Sequence, residues 1–393
     1  MNQVEDLRIA KLDQRALGLA PGLATSVRGK PAVAERRSGC PPPGVIESIL
    51  DSTSVGGGLH VRSMSYLDLH RRFSVDIDAE MEATLDRLAP QAGAVRAAVA
   101  GLVRNREFKY PLSVLPLIVH AMETGAPEPA VPLAVVHELW WISACHLDDL
   151  ADGESAHLAG DLGEGEALLA AIVCGTPLPL LVVQSQAVPD SVRSALSAEI
   201  VKCGIGAAEG QLSDLRGDAA TATRDSVVTA YRGKSGAPFR MVTAMAAELA
   251  GVEKERVELW RDFGDVFGIL WQMFNDQEDI LSGRNEDLLN GTVTYLLACA
   301  LDAFSSPSTE RILRLHTDAR NSRDARAELI DTLLAPVVLG RYEDDINKFR
   351  GEAHRILDEL GGDETYSSVM RNLVDDSSRM LLRAGLVPEV TIG

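Results

Sequence analysis

Two long apolar segments of this sequence end in acidic side chains. The segments are PAVPLAVVHELWWISACHLDDLAD and FGDVFGILWQMFNDQEDI, and in each the acids repeat at the spacing of one helical turn. One such group alone is typical of a solvated helix end. Two groups on facing helices would instead supply the hard oxygen ligands that let Mg²⁺ bridge to phosphate oxygens. The candidate metal ligands are Asp148, Asp149, Asp152, Asn275, Asp276 and Asp279.

A lysine lies between the two acidic groups, in the segment YRGKSGAPF. Lys234 follows a glycine and precedes small residues that open an apolar helix. As a compact cation it could meet a diphosphate, while Gly233 and Gly236 would allow close approach or a helix break. The alternative is an ordinary surface lysine in a turn.

The elements that must position these residues are helices. From about residue 75 onward, apolar residues recur at i, i+3, i+4 and i+7, and short Gly/Pro breaks separate the windows. Alternating strand patterns are absent, so we predict an all-α protein. Residues 1–65 are rich in Gly, Pro and Ser and are predicted to form a mobile or loosely docked arm, and residues 66–393 a single helical domain.

Composition excludes some classes of protein. The 393 residues carry a formal net charge of −19 with no basic cluster to offset it, so nucleic acid is not an expected partner. The five cysteines are scattered, which favours reduced thiols rather than zinc or disulfides. The N-terminus lacks a signal-peptide pattern, and no stretch reaches the ~18 uncharged apolar residues of a membrane span. These features predict a cytoplasmic protein without an integral membrane segment.

The ordered set of motifs resembles the trans-polyprenyl synthase (isoprenyl diphosphate synthase) family and its relatives among class I terpene synthases. The matching segments are FKYPLSVLPLIVHAMETG, HLDDLADG, AAEGQLSDL, YRGKSGAPF, FGILWQMFNDQEDI and EDLLNGTVTYLLACAL. The resemblance implies the class I isoprenoid synthase fold, with about a dozen helices around a central cavity. It also implies a homodimer, and two acidic motifs that hold three Mg²⁺ ions and a prenyl diphosphate.

The same resemblance assigns roles to individual residues. Asp148, Asp149 and Asp152 match the first motif, and Asp276 and Asp279 match the second. Together with Lys234, the first motif forms the candidate catalytic set. The implied diphosphate-binding residues are Lys234, Gln272, Gln211 and Asp214.

The sequence departs from the family pattern at four places. REFKYP replaces a segment that carries several cations in chain-elongating members, and ADGESAHLAGDL lacks the arginine pair that follows the first motif. GTVT lacks the lysine of the family's GKPT, and Asn275 replaces the first aspartate of the second motif. Each lost charge-assisted hydrogen bond would cost about 1.5–3 kcal/mol, which argues against isopentenyl diphosphate as a co-substrate.

These observations favour a Mg²⁺-dependent terpene cyclase that ionises one allylic diphosphate and lets the carbocation attack its own double bonds. The alternative is a trans-prenyltransferase that condenses the allylic diphosphate with isopentenyl diphosphate or another acceptor. A third hypothesis is a catalytically silent partner of an active synthase, which the retention of both acidic motifs disfavours.

Side chains on the first-motif helix suggest the size of the substrate. Counting back from Asp148 by turns gives Ala144 or Ser143 and then Trp140 or Trp141, so the wall near the diphosphate is small and the deeper wall aromatic. This pattern predicts a C15 or C20 substrate, and tryptophan faces can stabilise carbocations. Ordinary helix packing is the alternative for each tryptophan, including Trp271. Other candidates are His146, as a polar partner at the cavity rim, and the Arg341–Tyr342 pair, as diphosphate sensors.

Overall fold

The computed structural model describes residues 64–88, 90–104, 110–151 and 162–384. Nearly all of the predicted N-terminal arm lies outside these ranges. So do Asp152, the first four residues of the REFKYP segment and most of the segment that follows the first acidic motif. The division into an arm and a single helical domain therefore stays a prediction.

The all-α prediction is confirmed, since the described residues form helices and no strand. The first half contains α1 (Tyr66–Asp86), α2 (Gly93–Arg104), α3 (Leu115–Thr124), α4 (Val131–Ala151), α5 (Glu164–Gly175), α6 (Pro177–Val183), α7 (Arg193–Leu215) and α8 (Arg224–Tyr231). The second half contains α9 (Ala237–Ala250), α10 (Lys254–Ser282), α11 (Glu286–Asn290), α12 (Tyr295–Ala303), α13 (Ser306–Ala319), α14 (Arg323–Leu333), α15 (Pro336–Leu360) and α16 (Glu364–Ser377). Short 3₁₀ turns precede α2, α3 and α4, and a π-helical turn, Arg232–Gly236, joins α8 to α9.

Local sequence signals set many of the helix ends. Ser65 and Asp68 form a reciprocal capping box at the start of α1, and Thr223 caps α8. Glycines in the left-handed conformation end α9 at Gly251 and α10 at Gly283. Capping and glycine stops of this kind are readable from sequence, because each satisfies backbone groups that the helix leaves unpaired.

The long helix α10 lies at the centre of the fold. It packs against α9, α15, α16 and the π-helical turn, and α9 in turn packs against α3, α4 and α7. Trp260, Phe263 and Phe267 on α10 are fully buried. The C-terminal turns of α10 carry the second acidic motif.

Glycine contacts bring three elements unusually close together. A Cβ on Gly233 of the π-helical turn would lie 2.5 Å from the Cα of Gly210 on α7. A Cβ on Gly268 of α10 would lie 2.5 Å from the Cα of Gly236 at the other end of the turn. No side chain fits at these positions, so backbone packs directly on backbone and fixes the turn between α7 and α10.

Two segments are long and apolar enough to cross a membrane by length and composition, namely Glu128–Leu150 and Glu164–Val183. The first is 67% buried within the fold, as the core helix of a soluble protein would be.

Cys203 and Cys299 are buried thiols, whereas Cys145 is disulfide-bonded, which departs from the expectation that all five thiols are reduced.

Candidate active site

The first acidic motif meets a lysine and an amide from other helices. Asp148, in the last turn of α4, accepts a hydrogen bond from Gln211 Nε2 at 2.7 Å and pairs with Lys234 Nζ at 3.1 Å. Lys234 also donates to Asp214 Oδ2 at 3.0 Å. The sequence-predicted residues Asp148, Gln211, Asp214 and Lys234 are therefore in direct contact. Asp149 is buried beside them at 8% exposure.

Charge neutralisation explains the position of Lys234. Desolvation opposes a charge on its ammonium group, but the neighbouring carboxylates of Asp148 and Asp214 raise its pKa above the ordinary value. The lysine is therefore a permanent cation near neutral pH. It lies between α4 and α7, where a diphosphate could meet it as a point charge.

The second acidic motif lies deeper in the fold and is held by neutral donors. Asp276 is 4% exposed and accepts hydrogen bonds from the Tyr231 hydroxyl and, at 2.9 Å, from Gln272 Nε2. Gln272 Oε1 accepts from the Ser235 hydroxyl at 2.6 Å. Asp279, at 5% exposure, accepts from the backbone N–H groups of residues 286 and 287 at 3.0 and 3.2 Å.

Burial raises the pKa of the carboxyl groups in this region. The pKa of Asp276 rises to about 7 because of desolvation, against its hydrogen bonds from Tyr231 and Gln272, with Asp214 and Asp279 adding like-charge repulsion. Desolvation also raises the pKa of Asp279. Carboxylates of α7 and α10 thus affect one another electrostatically across the π-helical turn that packs against both helices.

One acidic residue of this group, Asp287, was not predicted from the sequence. Desolvation and then the charges of Asp279 and Asp276 raise its pKa well above the ordinary value, and Lys234 and Asp214 also act on it. The residue is only partly exposed. The available signal was its place in EDLLNG, the segment that follows the second motif in the family pattern. Tyr231 and Ser235 were missed as well, because nothing in the sequence indicates that they contact α10.

The donor set fits a hard divalent cation. Buried carboxylates with raised pKa values gain free energy when a cation joins them, and Asn275 Oδ1 is a buried oxygen with no hydrogen-bond partner among the described residues. Within the ranges that the structure describes, no three acidic, histidine or cysteine residues already form a metal-ligating group. Asp152 lies outside those ranges.

An aromatic row extends from the first-motif helix to the second. Trp141 stacks on Tyr110, with ring centroids 4.6 Å apart, and its indole lies 6.4 Å from the ring of Phe239. Phe239 is 6.2 Å from Trp271, which stacks on Phe274. Trp271 Nε1 is buried and has no hydrogen-bond partner in the described part of the chain.

The predicted wall residues divide between two faces of α4. Trp141 and Ala144 share the face of Asp148, by helical spacing. Ser143 instead lies against α5, where a Cβ on Gly175 would meet its Oγ at 2.5 Å. Trp140 is buried in the hydrophobic core at 6% exposure.

The minor candidates have structural surroundings. Arg341 pairs with Asp302, and Tyr342 is fully buried and donates to the backbone oxygen of Met273 at 2.8 Å. Arg341 therefore pairs with α12 rather than with an acidic motif, whereas Tyr342 reaches α10 three residues before Asp276. His146 is 4% exposed, its Nε2 has no hydrogen-bond partner in the described ranges, and burial lowers its pKa.

Two cavities, of about 350 and 800 Å³, lie away from the predicted wall. The smaller is formed between α13 and α14. The larger is formed by α8, α12, α13 and α15, and Tyr295 and Asp345 are among its lining residues. Neither is lined by Trp140, Trp141, Ser143, Ala144 or Trp271.

Comparison with known proteins agrees with this combination of an all-α fold and paired acidic motifs around a lysine. The family model described as Polyprenyl synthetase matches residues 118–333, more than half of the chain. This chain therefore belongs to the polyprenyl synthetase family. The expectation of an enzyme of the terpene synthase or prenyltransferase type is confirmed. No curated protein matches the sequence.

Solved structures share the fold at low sequence identity. A decaprenyl diphosphate synthase from Rhodobacter capsulatus superposes with a TM-score of 0.67 at 17% identity, covering 80% of this chain and 98% of that one. A geranylgeranyl pyrophosphate synthetase from Pyrococcus horikoshii Ot3 gives 0.66 at 19% identity, covering 80% and 99%. A geranylgeranyl pyrophosphate synthase from Corynebacterium glutamicum, complexed with isoprenyl diphosphate and magnesium, gives 0.66 at 17% identity, covering 78% and 98%. These likenesses confirm the predicted isoprenoid synthase fold.

Proposed function

We propose that this protein is a Mg²⁺-dependent trans-prenyltransferase that acts on an allylic prenyl diphosphate. The observation that carries the proposal is the contact set of one short turn. Lys234 pairs with Asp148 of the first motif. On either side of Lys234, Tyr231 donates to Asp276 of the second motif, and Ser235 donates to Gln272, one turn before that motif. The family match, and structural neighbours described as complexes with isoprenyl diphosphate and magnesium or calcium, support the same conclusion.

The residues of the site divide the work by charge. Asp148, Asp149 and Asp152 from the first motif, and Asn275, Asp276 and Asp279 from the second, would hold up to three Mg²⁺ ions. Bound Mg²⁺ would supply electrostatic stabilisation of the departing diphosphate. Lys234 would add a fixed positive charge, and Gln211, Asp214 and Gln272 would orient the charged groups through the hydrogen bonds described above. The aromatic row below would keep water from the reacting carbon.

Terpene cyclisation is the second candidate, and a specific observation favours it. In the family pattern GKPT a lysine stands near the second motif, but here Thr292 occupies the place and its backbone oxygen faces His316 at 3.2 Å. The other segments that bind a second diphosphate in chain-elongating relatives have also lost cations. With fewer positive charges for an acceptor diphosphate, the allylic cation would react with its own double bonds.

Product analysis distinguishes these functions. Purified protein is incubated with Mg²⁺ and geranyl, farnesyl or geranylgeranyl diphosphate, each with and without isopentenyl diphosphate. Longer prenyl diphosphates that require the acceptor support the prenyltransferase. Hydrocarbons or alcohols formed from the C15 or C20 substrate alone support the cyclase. No turnover in any combination supports a silent subunit and contradicts both enzymatic functions.

Paired variants connect the activity to the site. Asp148→Asn and Asp276→Asn should each lower turnover by at least about 10²-fold, because each removes a charged ligand from the site. Asp190→Asn is the matched control, since Asp190 is 87% exposed in a surface ion pair with Arg193. If all three variants behaved alike, the assigned site would be wrong.

We further infer that a second copy of this chain covers an apolar surface on α5, α6 and α7. Most of the large apolar side chains exposed in the described residues lie there, including Leu169, Ile172 and Leu181. On α7, exposed residues repeat at alternating four- and three-residue steps, the pattern of a helix–helix seam: Val201, Ile205, Ala208, Leu212 and Leu215. A two-fold axis would pair this seam with itself.

Light scattering tests the proposed homodimer. Ile205→Asp places a charge in the middle of the seam and should give a monomer. Val75→Asp is the matched control, because Val75 is 74% exposed, close to the 69% of Ile205, but lies on α1. A wild-type monomer, or a dimer that survives Ile205→Asp, would exclude this surface.

A cytoplasmic location remains a further prediction, and cell fractionation would test it.

A further inference from the structure

Two buried tyrosines donate hydrogen bonds to α10 close to the second acidic motif. Tyr231 donates to the side chain of Asp276, and Tyr342 donates to the backbone oxygen of Met273, three residues earlier. Both tyrosines are at most 4% exposed. Both hydroxyls donate to the same helix, but only Tyr231 donates to a residue of the acidic motif.

The hydroxyl of Tyr231 is held in one orientation. The backbone N–H of Tyr295 donates to it at 2.9 Å, so the proton of the hydroxyl is directed at Asp276 Oδ2. Tyr295 begins α12, so its N–H position is fixed by an independent element. The carboxylate of Asp276 therefore meets a rigid donor rather than a rotating one.

The second oxygen of Asp276 is held through another residue of the same stretch. Gln272 donates to Oδ1, and Ser235 donates to Gln272. Tyr231 immediately precedes the π-helical turn and Ser235 lies inside it, on either side of Lys234. Turns of this type are frequent at functional sites, and the glycine contacts described above prevent this one from shifting. Each carboxylate oxygen keeps a second lone pair that can face a cation.

We propose that Tyr231 is a positioning residue of the second acidic motif, which orients the Asp276 carboxylate for a divalent cation, with Ser235 supporting it through Gln272. The inference rests on the proposed function, because it assumes that the motif binds metal. It goes beyond that function by assigning a role to residues that the two acidic motifs do not include. Tyr342, by contrast, donates to the backbone of α10 and not to a carboxylate of the motif.

Metal binding without substrate tests this assignment. Mn²⁺ affinity is measured by electron paramagnetic resonance on the full-length wild type, Tyr231→Phe and Tyr342→Phe. Tyr231→Phe should weaken Mn²⁺ binding about tenfold, the effect of one hydrogen bond to a charged group, while Tyr342→Phe should stay within about twofold of the wild type. Thermal unfolding should show a loss of Tm in both variants, and a larger one in Tyr231→Phe, because the Tyr231 hydroxyl also accepts from the Tyr295 N–H.

Ser235→Ala provides a second, milder variant in case Tyr231→Phe does not fold. It should weaken Mn²⁺ binding about threefold, because it acts on Asp276 only through Gln272. Equal effects of the two tyrosine variants, or unchanged affinity in both Tyr231→Phe and Ser235→Ala, would overturn the assignment while leaving the proposed function intact. A wild-type protein that bound no Mn²⁺ would instead contradict the proposed function itself.

Discussion

The two acidic motifs lie in different electrostatic surroundings. Asp148 of the first motif has a side chain that is 32% exposed and is already paired with Lys234. Asp276 and Asp279 of the second motif are at most 5% exposed, and their donors are neutral hydroxyl, amide and backbone groups. The cation nearest to Asp279 is Arg284, at 3.8 Å. The charge of Asp148 is therefore balanced within the fold, whereas Asp276 and Asp279 would gain more from an added cation.

This difference indicates how the two motifs contribute. The pKa values of the second-motif carboxyls are raised because burial disfavours their charge, and Mg²⁺ would remove that penalty. Lys234 already lies beside Asp148 and Asp214 without any ligand. In the described residues, a fixed cation therefore lies at the first motif, and the buried carboxylates that a divalent cation would stabilise lie at the second.

Removing the lysine should have the largest effect. Lys234→Met should lower kcat by about 10²- to 10³-fold, because the site loses its fixed charge near the diphosphate. Arg284→Met should have a smaller effect, since Arg284 is farther from its acidic partner. Steady-state kinetics with the substrate that product analysis identifies would check this. Equal losses in the two variants would remove the distinction between the motifs.

The pH dependence of stability tests the second motif. The folded-state pKa of Asp276 is above its unfolded value, so the folded protein holds this proton over a pH range in which the unfolded chain has already released it. The metal-free protein should therefore lose stability as pH rises from about 4 through 7. Added Mg²⁺ should therefore stabilise the protein more at pH 8 than at pH 5.5, by about 2 kcal/mol. Thermal unfolding in Mg²⁺ and in chelator gives the comparison. A Mg²⁺ effect that does not change with pH would contradict it.

The backbone contact that joins the turn to α10 can be broken directly. In Gly268→Ala the added methyl would meet the backbone of Gly236 and Ser235, so the free energy of unfolding should fall by about 1–3 kcal/mol. Gly340→Ala on α15 is the control, because no atom lies within 4 Å of the position that its methyl group would take. It should be neutral or slightly stabilising, as alanine has the higher helix propensity. Denaturant unfolding would show whether the two variants differ in this direction.

The smallest expected effect compares the two glutamines. Gln211→Leu removes one hydrogen bond from the partly exposed Asp148 and should cost about 1 kcal/mol. Gln272→Leu removes a donor from the buried Asp276 and leaves the Ser235 hydroxyl without its acceptor, so it should cost about 1–3 kcal/mol. Chemical unfolding of both variants measures the difference. A larger loss of unfolding free energy in Gln211→Leu than in Gln272→Leu would contradict the expectation that the more buried carboxylate depends more on its amide donor.

Much of the site was predictable from local sequence. Helical periodicity predicted the helices that carry Asp148 and Asp276, and family resemblance identified Lys234, Gln211 and Asp214, which the structure brings into contact with Asp148. Tyr231 and Ser235 could not be found in this way. Their contacts to α10 join residues 45 and 37 positions apart, and no local pattern records such a distance. The packing of Ser143 against α5 could not be foreseen either, because counting turns gives an angle but not the neighbouring helix.

The sequence by itself determined the all-helical class, the two acidic helix ends and the cationic residue between them, because helix periodicity and residue chemistry are local properties. Only the tertiary structure decided which acids are buried and which are paired. Those differences depend on how closely backbones approach, at Gly210 and Gly233 and at Gly236 and Gly268, and on which side chains then reach α10. Desolvation and hydrogen bonding act through space, so a carboxylate acquires its pKa and its partners only when the helices have packed.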